Sequence, residues 1–191
     1  MPFFPPATAP RCAVVDLGSN SVRLVVYEGR GRNPALIFNE KAVLRLGQGL
    51  QSSGRLNERA MAQAFTVLHR YVAVARAMGA EPIEVLATAA VRDADNGRLF
   101  VAELQDQLGD VAIRILPGEE EAELSALGVL CGIPEADGLL TDIGGGSLEF
   151  VELVKGRPGG RAQTLRLGVI RLAERSRGDL VRAAEIAAID L

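Results

Sequence analysis

The stretch Asp142-Ile143-Gly144-Gly145-Gly146-Ser147 decides the fold of this chain. It lies between an apolar run that begins at Gly138 and a strand-like run from Leu148 to Val154. Three consecutive glycines let backbone N–H groups approach an anion closely, because no side chain stands in the way. The aspartate before them is the kind of oxygen ligand that Mg²⁺ prefers. The stretch therefore indicates a loop that holds a phosphate and its metal, although the pattern is also typical of a tight hairpin.

A second copy of this loop favours the phosphate interpretation. Asp16-Leu17-Gly18-Ser19-Asn20-Ser21 matches it at an offset of 126 residues, and a strand-like run from Val22 to Tyr27 follows. Farther along, Leu44 to Gly47 recurs as Leu165 to Gly168 at an offset of 121. Two matches in the same order indicate a duplicated unit of three strands, each opening on an acidic phosphate loop.

The residues between the two loops predict alternating strands and helices, as in an α/β domain. Strands are expected at residues 12–16, 22–27, 35–38, 42–46, 83–88 and 112–116. Helices are expected from Asn57, a suitable N-cap, to Met78, from Asn96 to Leu108, and onwards from about Gly118. A glycine-rich loop at residues 47–54 separates the strands from the first helix.

The duplication predicts two lobes of unequal completeness that face each other across a cleft. After its Leu-Arg-Leu-Gly, the first copy continues through further helices and strands, whereas the second ends at Leu191 inside an amphipathic helix. We expect a loose tail at residues 1–10, a first lobe at 11–125 and the start of a second lobe at 126–191. We also expect a truncated chain, which a second sheet covered completely by these residues would contradict.

Composition and charge exclude several classes of function. A chain of 191 residues with 48% apolar content is globular, and a net charge of -3 argues against a nucleic-acid or membrane-surface binder. Cys12 and Cys131 lack metal-ligand spacing, which favours a reducing compartment such as the cytoplasm. The only lysines, Lys41 and Lys155, do not form a Walker A loop, and the glycine spacing does not fit a dinucleotide site.

A cluster of glutamates at 119–121 opens the helix that starts near Gly118. Carboxylates there stabilise the positive end of the helix dipole, which explains one or two of them. The cluster also lies between the two phosphate loops, where a carboxylate projecting into the cleft could deprotonate an attacking water. Both interpretations stay open on these residues alone.

Arg92 is expected in a loop that follows a strand end, and it also has two interpretations. It is either a surface charge paired with Asp93 or Asp95, which contributes little, or a planar fork that binds a phosphate at the edge of the sheet. Asn96 is expected to cap the next helix.

Four ordered motifs carry a resemblance to a known family. They resemble the motifs of the exopolyphosphatase and guanosine pentaphosphate phosphohydrolase family, within the actin-like, sugar-kinase and Hsp70 ATPase superfamily. The similarity spans about residues 11–172, and the motifs are Asp16 to Ser21, Ala87 to Arg92 with Asn96, Gly118 to Ala122, and Asp142 to Ser147 with Glu149. The resemblance implies ribonuclease-H-like (actin-like ATPase) α/β lobes, each a mixed sheet flanked by helices, in agreement with the duplication.

The resemblance also implies roles for individual residues. Glu121 would be the catalytic base, and Asp142 and Glu149 would hold Mg²⁺ or another divalent cation. The implied phosphate contacts are Ser19, Asn20, Ser21, Arg92, Gly144, Gly145, Gly146 and Ser147. Family members continue beyond the end of this chain, often form dimers and build much of the substrate channel from the later parts.

The leading hypothesis is a hydrolase that releases orthophosphate from the terminal phosphoanhydride of inorganic polyphosphate, of guanosine pentaphosphate, or of both. No nucleic acid or membrane is expected as a partner, and a homodimer is expected of the full-length protein. One rival is a kinase or ATPase of the same superfamily that uses ATP. A further rival, from a different class, is a module that binds polyphosphate or the alarmone without catalysis.

Overall fold

A computed structural model describes residues 9–191; residues 1–8 of the predicted tail lie outside the described residues. The helices are α1 (Leu50–Ser53), α2 (Glu58–Ala77), α3 (Ala89–Asp93), α4 (Gly97–Leu108), α5 (Gly118–Gly132), α6 (Val169–Ser176) and α7 (Leu180–Asp190). The strands are β1 (Arg11–Leu17), β2 (Ser21–Glu28), β3 (Ala35–Val43), β4 (Ala80–Ala87), β5 (Ala112–Ile115), β6 (Gly138–Ile143), β7 (Leu148–Val154), β8 (Arg157–Pro158) and β9 (Gln163–Leu165).

The first sheet has five strands in the order β3-β2-β1-β4-β5. β1 pairs antiparallel with β2 and parallel with β4, so the sheet is mixed. Its core is continuous with α2 and α4, where Leu68, Tyr71 and Phe100 are fully buried against Leu24 and Val85. Ala13, Val15 and Leu17 on one face of β1 belong to this core, which is the larger of the two.

Several local predictions are confirmed and others are wrong. Asn57 caps α2, because its side chain accepts a hydrogen bond from the Ala60 amide. The two strands predicted at 35–38 and 42–46 are one strand, β3, whose polar middle residues pair with β2 at the edge of the sheet. Edge strands tolerate such residues because one side faces solvent. Asn96 precedes α4 without capping it, since its side-chain oxygen accepts from the Leu56 amide instead.

The second sheet repeats the antiparallel part of the first. β7 pairs antiparallel with β6, β8 and β9, just as β2 lies between β1 and β3. A small second core joins this sheet to α5 through Ala122, Ala126, Leu130, Val151 and Leu153. The predicted division at residues 125 and 126 therefore falls inside α5, whose buried side chains belong to the second core.

The second sheet lacks the cover that the first sheet has. Leu139 on β6 is 66% exposed, and no residue of α7 is buried. The covered second sheet that would have contradicted a truncated chain is thus not present among residues 9–191. Across the same residues, no helix combines the length and apolar character needed to cross a membrane.

Candidate active site

The two predicted phosphate loops are equivalent hairpin turns. The amide of Gly18 donates to the carbonyl of Ser21 at 3.0 Å, and the amide of Gly144 donates to the carbonyl of Ser147 at 3.0 Å. In each hairpin an aspartate is the second-to-last residue of the incoming strand, and the turn leads into an antiparallel outgoing strand. The offset of 126 residues therefore relates two copies of one backbone arrangement.

The two loops pack directly against each other. A Cβ atom added to Gly146 would lie 2.5 Å from Ser19 Oγ and 2.8 Å from Ala89 Cβ, distances that real Cβ contacts do not show. A Cβ atom on Gly145 would lie 3.1 Å from both Ser19 Cβ and Ile170 Cδ1. The contact between the units therefore requires glycine at 146 and leaves little room for a side chain at 145, in addition to any approach to an anion.

A polar pocket of about 200 Å³ lies where the loops meet. The sequence predicted ten of its lining residues, and Arg92 lies beside it, bound to one of them. The lining also includes Asp16 and Thr88, to which the sequence assigned no role. The full lining is Asp16, Gly18, Ser19, Asn20, Ser21, Thr88, Ala89, Glu121, Asp142, Gly144, Gly145, Gly146, Ser147 and Glu149.

Glu121 is the one glutamate of its cluster that enters the pocket. It lies in the first turn of α5, and its Oε2 accepts a hydrogen bond of 2.8 Å from Arg92 Nη1. Glu120 instead pairs with Arg114, and Glu119 pairs with Arg161, both on the outer surface. The helix-dipole interpretation therefore suits Glu119 and Glu120, and the cleft interpretation suits Glu121.

The environment of Glu121 changes its acidity. Burial raises the pKa of its carboxyl, the hydrogen bond and charge of Arg92 lower that pKa, and Asp16 and Asp142 raise it again. The net shift is upward, because water is largely excluded from this side of α5. A carboxylate with a raised pKa is a stronger base, which suits proton transfer near neutral pH.

Arg92 is held in place by the backbone as well as by Glu121. It lies on the short helix α3, not in the loop that the sequence predicted, and Nη1 also donates to the Leu116 carbonyl at 2.8 Å. Its Nε lies 3.9 Å from Asp93. Arg92 is therefore neither a simple surface charge nor solely a partner of its neighbours, and its guanidinium is fixed beside the pocket.

Two carboxylates, Asp142 and Glu149, line the part of the pocket that the second unit supplies. Asp142 and Glu149 are directly paired across β6 and β7, so their side chains share one face. Asp142 accepts from Ser125 Oγ at 2.8 Å, and Glu149 accepts from Thr164 Oγ1 at 2.9 Å. Burial raises the pKa of Glu149, which is 3% exposed, and the nearby charges of Glu121 and Asp142 raise it further.

Asp142 and Glu149 suit a cation that takes only some of its ligands from the protein. The described part of the chain has no group of three or more His, Cys, Asp or Glu residues placed to enclose a metal ion. Mg²⁺ commonly binds through one or two carboxylates and completes its shell with water and substrate phosphates. The facing pair Asp142 and Glu149, beside loops shaped for phosphate, fits that mode.

The family profile described as "Ppx/GppA phosphatase family" matches residues 24–189 of the sequence. This range includes the second sheet, the first sheet apart from β1 and the start of β2, and most of the pocket lining. The chain belongs to the Ppx/GppA phosphatase family. Its fold is the actin-like ATPase fold, which the family resemblance implied and with which the duplicated units agree.

Several relatives of the chain have names that state an activity. An exopolyphosphatase 1 of Mycobacterium tuberculosis is 35% identical over 165 residues, 85% of this chain and 47% of the relative. An exopolyphosphatase 2 of the same organism is 34% identical over 179 residues, 86% of this chain and 54% of the relative. A guanosine-5'-triphosphate,3'-diphosphate pyrophosphatase of Photobacterium profundum is 32% identical over 178 residues. This Ppx/GppA chain spans about half the length of the exopolyphosphatases that it matches.

Solved structures support the same placement. An exopolyphosphatase from Cytophaga hutchinsonii superposes with a TM-score of 0.78 at 28% identity, covering 86% of this chain and 53% of the other. A Ppx/GppA family member from Aquifex aeolicus superposes with a TM-score of 0.76 at 24% identity, covering 94% of this chain and 60% of the other. The second likeness concerns the fold alone.

Of the residues to which the sequence of this Ppx/GppA chain assigned no role, Asp16 had a detectable signal. Asp16 stands at the position equivalent to Asp142 in the duplicated unit, so the offset that revealed the loops also pointed to it. Burial raises the pKa of Asp16, Arg23 lowers it and Asp142 raises it again. Asp16 and Asp142 line the same pocket because the two units pack together, and a single sequence does not show that packing.

Proposed function

We propose that this chain is a phosphoanhydride hydrolase that removes terminal orthophosphate from inorganic polyphosphate, from guanosine pentaphosphate, or from both. The observation that carries the proposal is the position of Glu121. Its half-buried carboxyl, fixed by Arg92, enters a pocket whose walls are two phosphate-type loops and whose other acids suit a cation. The named relatives support this reaction class.

The loops and Arg92 would bind the terminal phosphate. Hydroxyl and amide groups from residues 19–21 and 144–147 line the pocket from opposite sides, so a phosphate between them would be held by both units. Arg92 Nη1 is taken by Glu121 and Leu116, which leaves Nη2 as the donor available to a phosphate oxygen. Such positioning accounts for most of the catalysis in phosphoryl transfer.

Asp142 and Glu149 would hold Mg²⁺ on the second unit. When bound, the ion would neutralise charge on the phosphate oxygens and complete its shell with them and with water. Asp16 faces the same pocket from the first unit, but its neighbours Arg23 and Lys41 already offset part of its charge. We therefore assign the metal to the acids of the second unit.

Glu121 would act as the general base. It takes one proton from a water molecule as the water oxygen forms a bond to the terminal phosphorus. The bond from that phosphorus to the bridging oxygen breaks, and the electron pair leaves with the shortened polyphosphate or nucleotide. Loop amides would stabilise the charge that develops on the terminal oxygens.

The remaining expectations concern the setting of the enzyme. We propose the cytoplasm as its compartment, which agrees with two free cysteines, Cys12 and Cys131. We also propose a homodimer for the full-length protein and no nucleic-acid or membrane partner, in line with the net charge of -3.

The test compares phosphate release from polyphosphate, guanosine pentaphosphate and ATP at equal concentrations with Mg²⁺. Glu121→Gln keeps the shape of the side chain but cannot accept the proton, so release should fall by roughly 10²–10⁴-fold. Binding of inorganic tripolyphosphate, measured by calorimetry, should remain nearly unchanged. Glu120→Gln is the matched control, because that neighbour on α5 pairs with Arg114 outside the pocket.

Each alternative gives a different result in this experiment. Faster release from ATP than from either polyanion would favour the kinase or ATPase reading. Tight tripolyphosphate binding without release would favour a binding module. A Glu121→Gln protein that releases phosphate at the parent rate would show that the base is another group, and a chain that neither binds nor releases would overturn the proposal.

A further inference from the structure

Arg171 is the most deeply buried arginine side chain in the contact between the two units. It lies on α6 of the second unit and is 6% exposed. Its Nη2 pairs with Asp93 at the end of α3 in the first unit. Its Nε is buried without a hydrogen-bond partner in residues 9–191. A buried arginine with an unsatisfied donor costs stability, so its position calls for a reason beyond packing.

α6 is fastened to the second phosphate loop. The amide of Val169 donates to the Gly144 carbonyl at 3.0 Å, and the amide of Ile170 donates to the Gly145 carbonyl at 2.9 Å. A Cβ atom on Gly168 would lie 2.3 Å from the Gly146 nitrogen, so the start of the helix touches the loop backbone. Arg171 therefore lies on a helix that is attached to the loop lining the pocket.

Asp93 is shared between Arg171 and the pocket arginine. One carboxylate oxygen pairs with Arg171, and the other lies 3.9 Å from Arg92 Nε. Arg92 in turn donates to Glu121 at 2.8 Å. Arg166 approaches the same carboxylate at 3.5 Å, but its side chain is largely exposed and holds it weakly. The ionic chain thus runs from the second unit through Asp93 to Arg92 and Glu121.

We propose that Asp93 and Arg171 are positioning residues that keep Arg92 directed at Glu121. Arg171 is paired with the Asp93 carboxylate. Arg92 therefore stays bonded to Glu121, and its Nη2 remains available to the pocket. When Arg171 is withdrawn, Asp93 attracts Arg92 away from Glu121. This assignment deepens the proposed function and rests on it for its catalytic meaning, although the competition for Arg92 does not require a substrate.

The competition predicts a rescue that simple packing does not. Arg171→Met removes the charge but fills the space, leaving Asp93 free to draw Arg92 from Glu121. Adding Asp93→Asn to that variant removes the competitor and returns Arg92 to Glu121. The double variant should also fold stably, because replacing both members of a buried pair is tolerated better than replacing one. Arg171→Lys retains the charge and should behave close to the parent.

The experiment follows the Arg92 Nε–Hε signal in spectra of ¹⁵N-labelled protein, assigned with Arg92→Lys and recorded without ligand. We expect Arg171→Met to move the signal and the double variant to return it. Glu174→Ala is the matched control, because Glu174 also lies on α6 and joins the units by accepting from the Gly49 amide at 2.7 Å. It should leave the Arg92 signal in place.

Calorimetry with inorganic tripolyphosphate and Mg²⁺ gives the second measurement. Affinity should weaken about tenfold in Arg171→Met, the size of a typical coupling between charged neighbours, and recover in the double variant. An unmoved Arg92 signal in Arg171→Met, or a double variant that stays displaced, would overturn the inference. If the signals behave as expected but the parent chain binds no tripolyphosphate, the proposed function fails while the ionic chain stands.

Discussion

The two hairpins of this molecule share a backbone but differ in charge. In the first, Asp16 faces Arg23 across β1 and β2; in the second, Asp142 faces Glu149 across β6 and β7. These are equivalent positions at the offset of 126 residues. Opposite charges facing each other on a sheet stabilise it, and like charges destabilise it. The first hairpin is thus neutralised from within, whereas the second leaves two acids together for a cation.

The hairpins also differ in how far other parts of the chain bury them. Leu17 ends β1 and is 0% exposed, while Ile143 ends β6 at the equivalent position and is 60% exposed. β1 is flanked by β4 and lies over the larger core, whereas β6 is the outer strand of its sheet in the part of the chain described. One unit is therefore mainly the stable support, and the other mainly supplies the acids of the site.

The largest effect on stability should come from comparing alanine substitutions at the equivalent strand ends of β1 and β6. Leu17→Ala should lower the free energy of unfolding by about 3–5 kcal/mol, because it leaves a cavity in a closed core. Ile143→Ala should change it by less than about 0.5 kcal/mol, because the side chain is mostly in solvent. Urea unfolding followed by circular dichroism measures both. Equal losses would mean that β6 is covered in solution.

Alanine substitutions at two glycines of the second loop should differ, by a smaller amount, in the unfolding free energy that they cost. Gly146→Ala should cost about 1–3 kcal/mol, because its methyl group would collide with Ser19 and Ala89 in the first unit. Gly144→Ala should be nearly neutral, since its nearest atom outside the adjacent residues, the Ser147 carbonyl oxygen, is 3.6 Å away. The same unfolding measurement applies. If Gly144→Ala is the more damaging of the two, the loop contact between the units is not what requires glycine.

Much of the fold could be predicted from the sequence because its signals are local. Repeated loops, apolar strands and the Asn57 cap all depend on residues close together in the chain. The continuity of β3 could not be predicted, because its polar middle depends on pairing with β2 at the sheet edge. The helix at Arg92 was also missed, since α3 has only five residues and no side-chain cap.

The site could be predicted in part for the same reason. Glu121 was separated from Glu119 and Glu120 only by family resemblance, since all three share one helical turn and the direction of each depends on packing. The hydrogen bond from Arg92 to Glu121 was not predicted, because the two residues are 29 positions apart along the chain. Contacts between the units, such as Ser19 with Gly146, lie at still greater separation.

Removal of metal should sharpen the difference in charge between the hairpins. With saturating Mg²⁺ the parent Tm should rise, and EDTA should return it to the metal-free value. Glu149→Gln should weaken Mg²⁺ about 10–100-fold, whereas Arg23→Gln should keep or strengthen it by removing a positive charge near the pocket. Calorimetric titration with Mg²⁺ measures both affinities. A larger loss in Arg23→Gln would place the ion on the first unit instead.

The smallest effect should be the pH dependence of stability without metal. Burial raises the pKa of Glu149 above its unfolded value, so the folded state keeps the proton to higher pH than the unfolded state. The stability that this carboxyl contributes is therefore complete below its unfolded pKa and is lost as pH rises through the raised value. Unfolding of the parent and Glu149→Gln in EDTA, compared from acid to neutral pH, isolates this contribution. Asp190→Asn gives the opposite sign, because Arg175 lowers the pKa of Asp190 and its stabilisation is lost as pH falls. A difference between the parent and Glu149→Gln that grows in favour of the parent with rising pH would mean that a positive charge already offsets Glu149, and the contrast between the two hairpins would disappear.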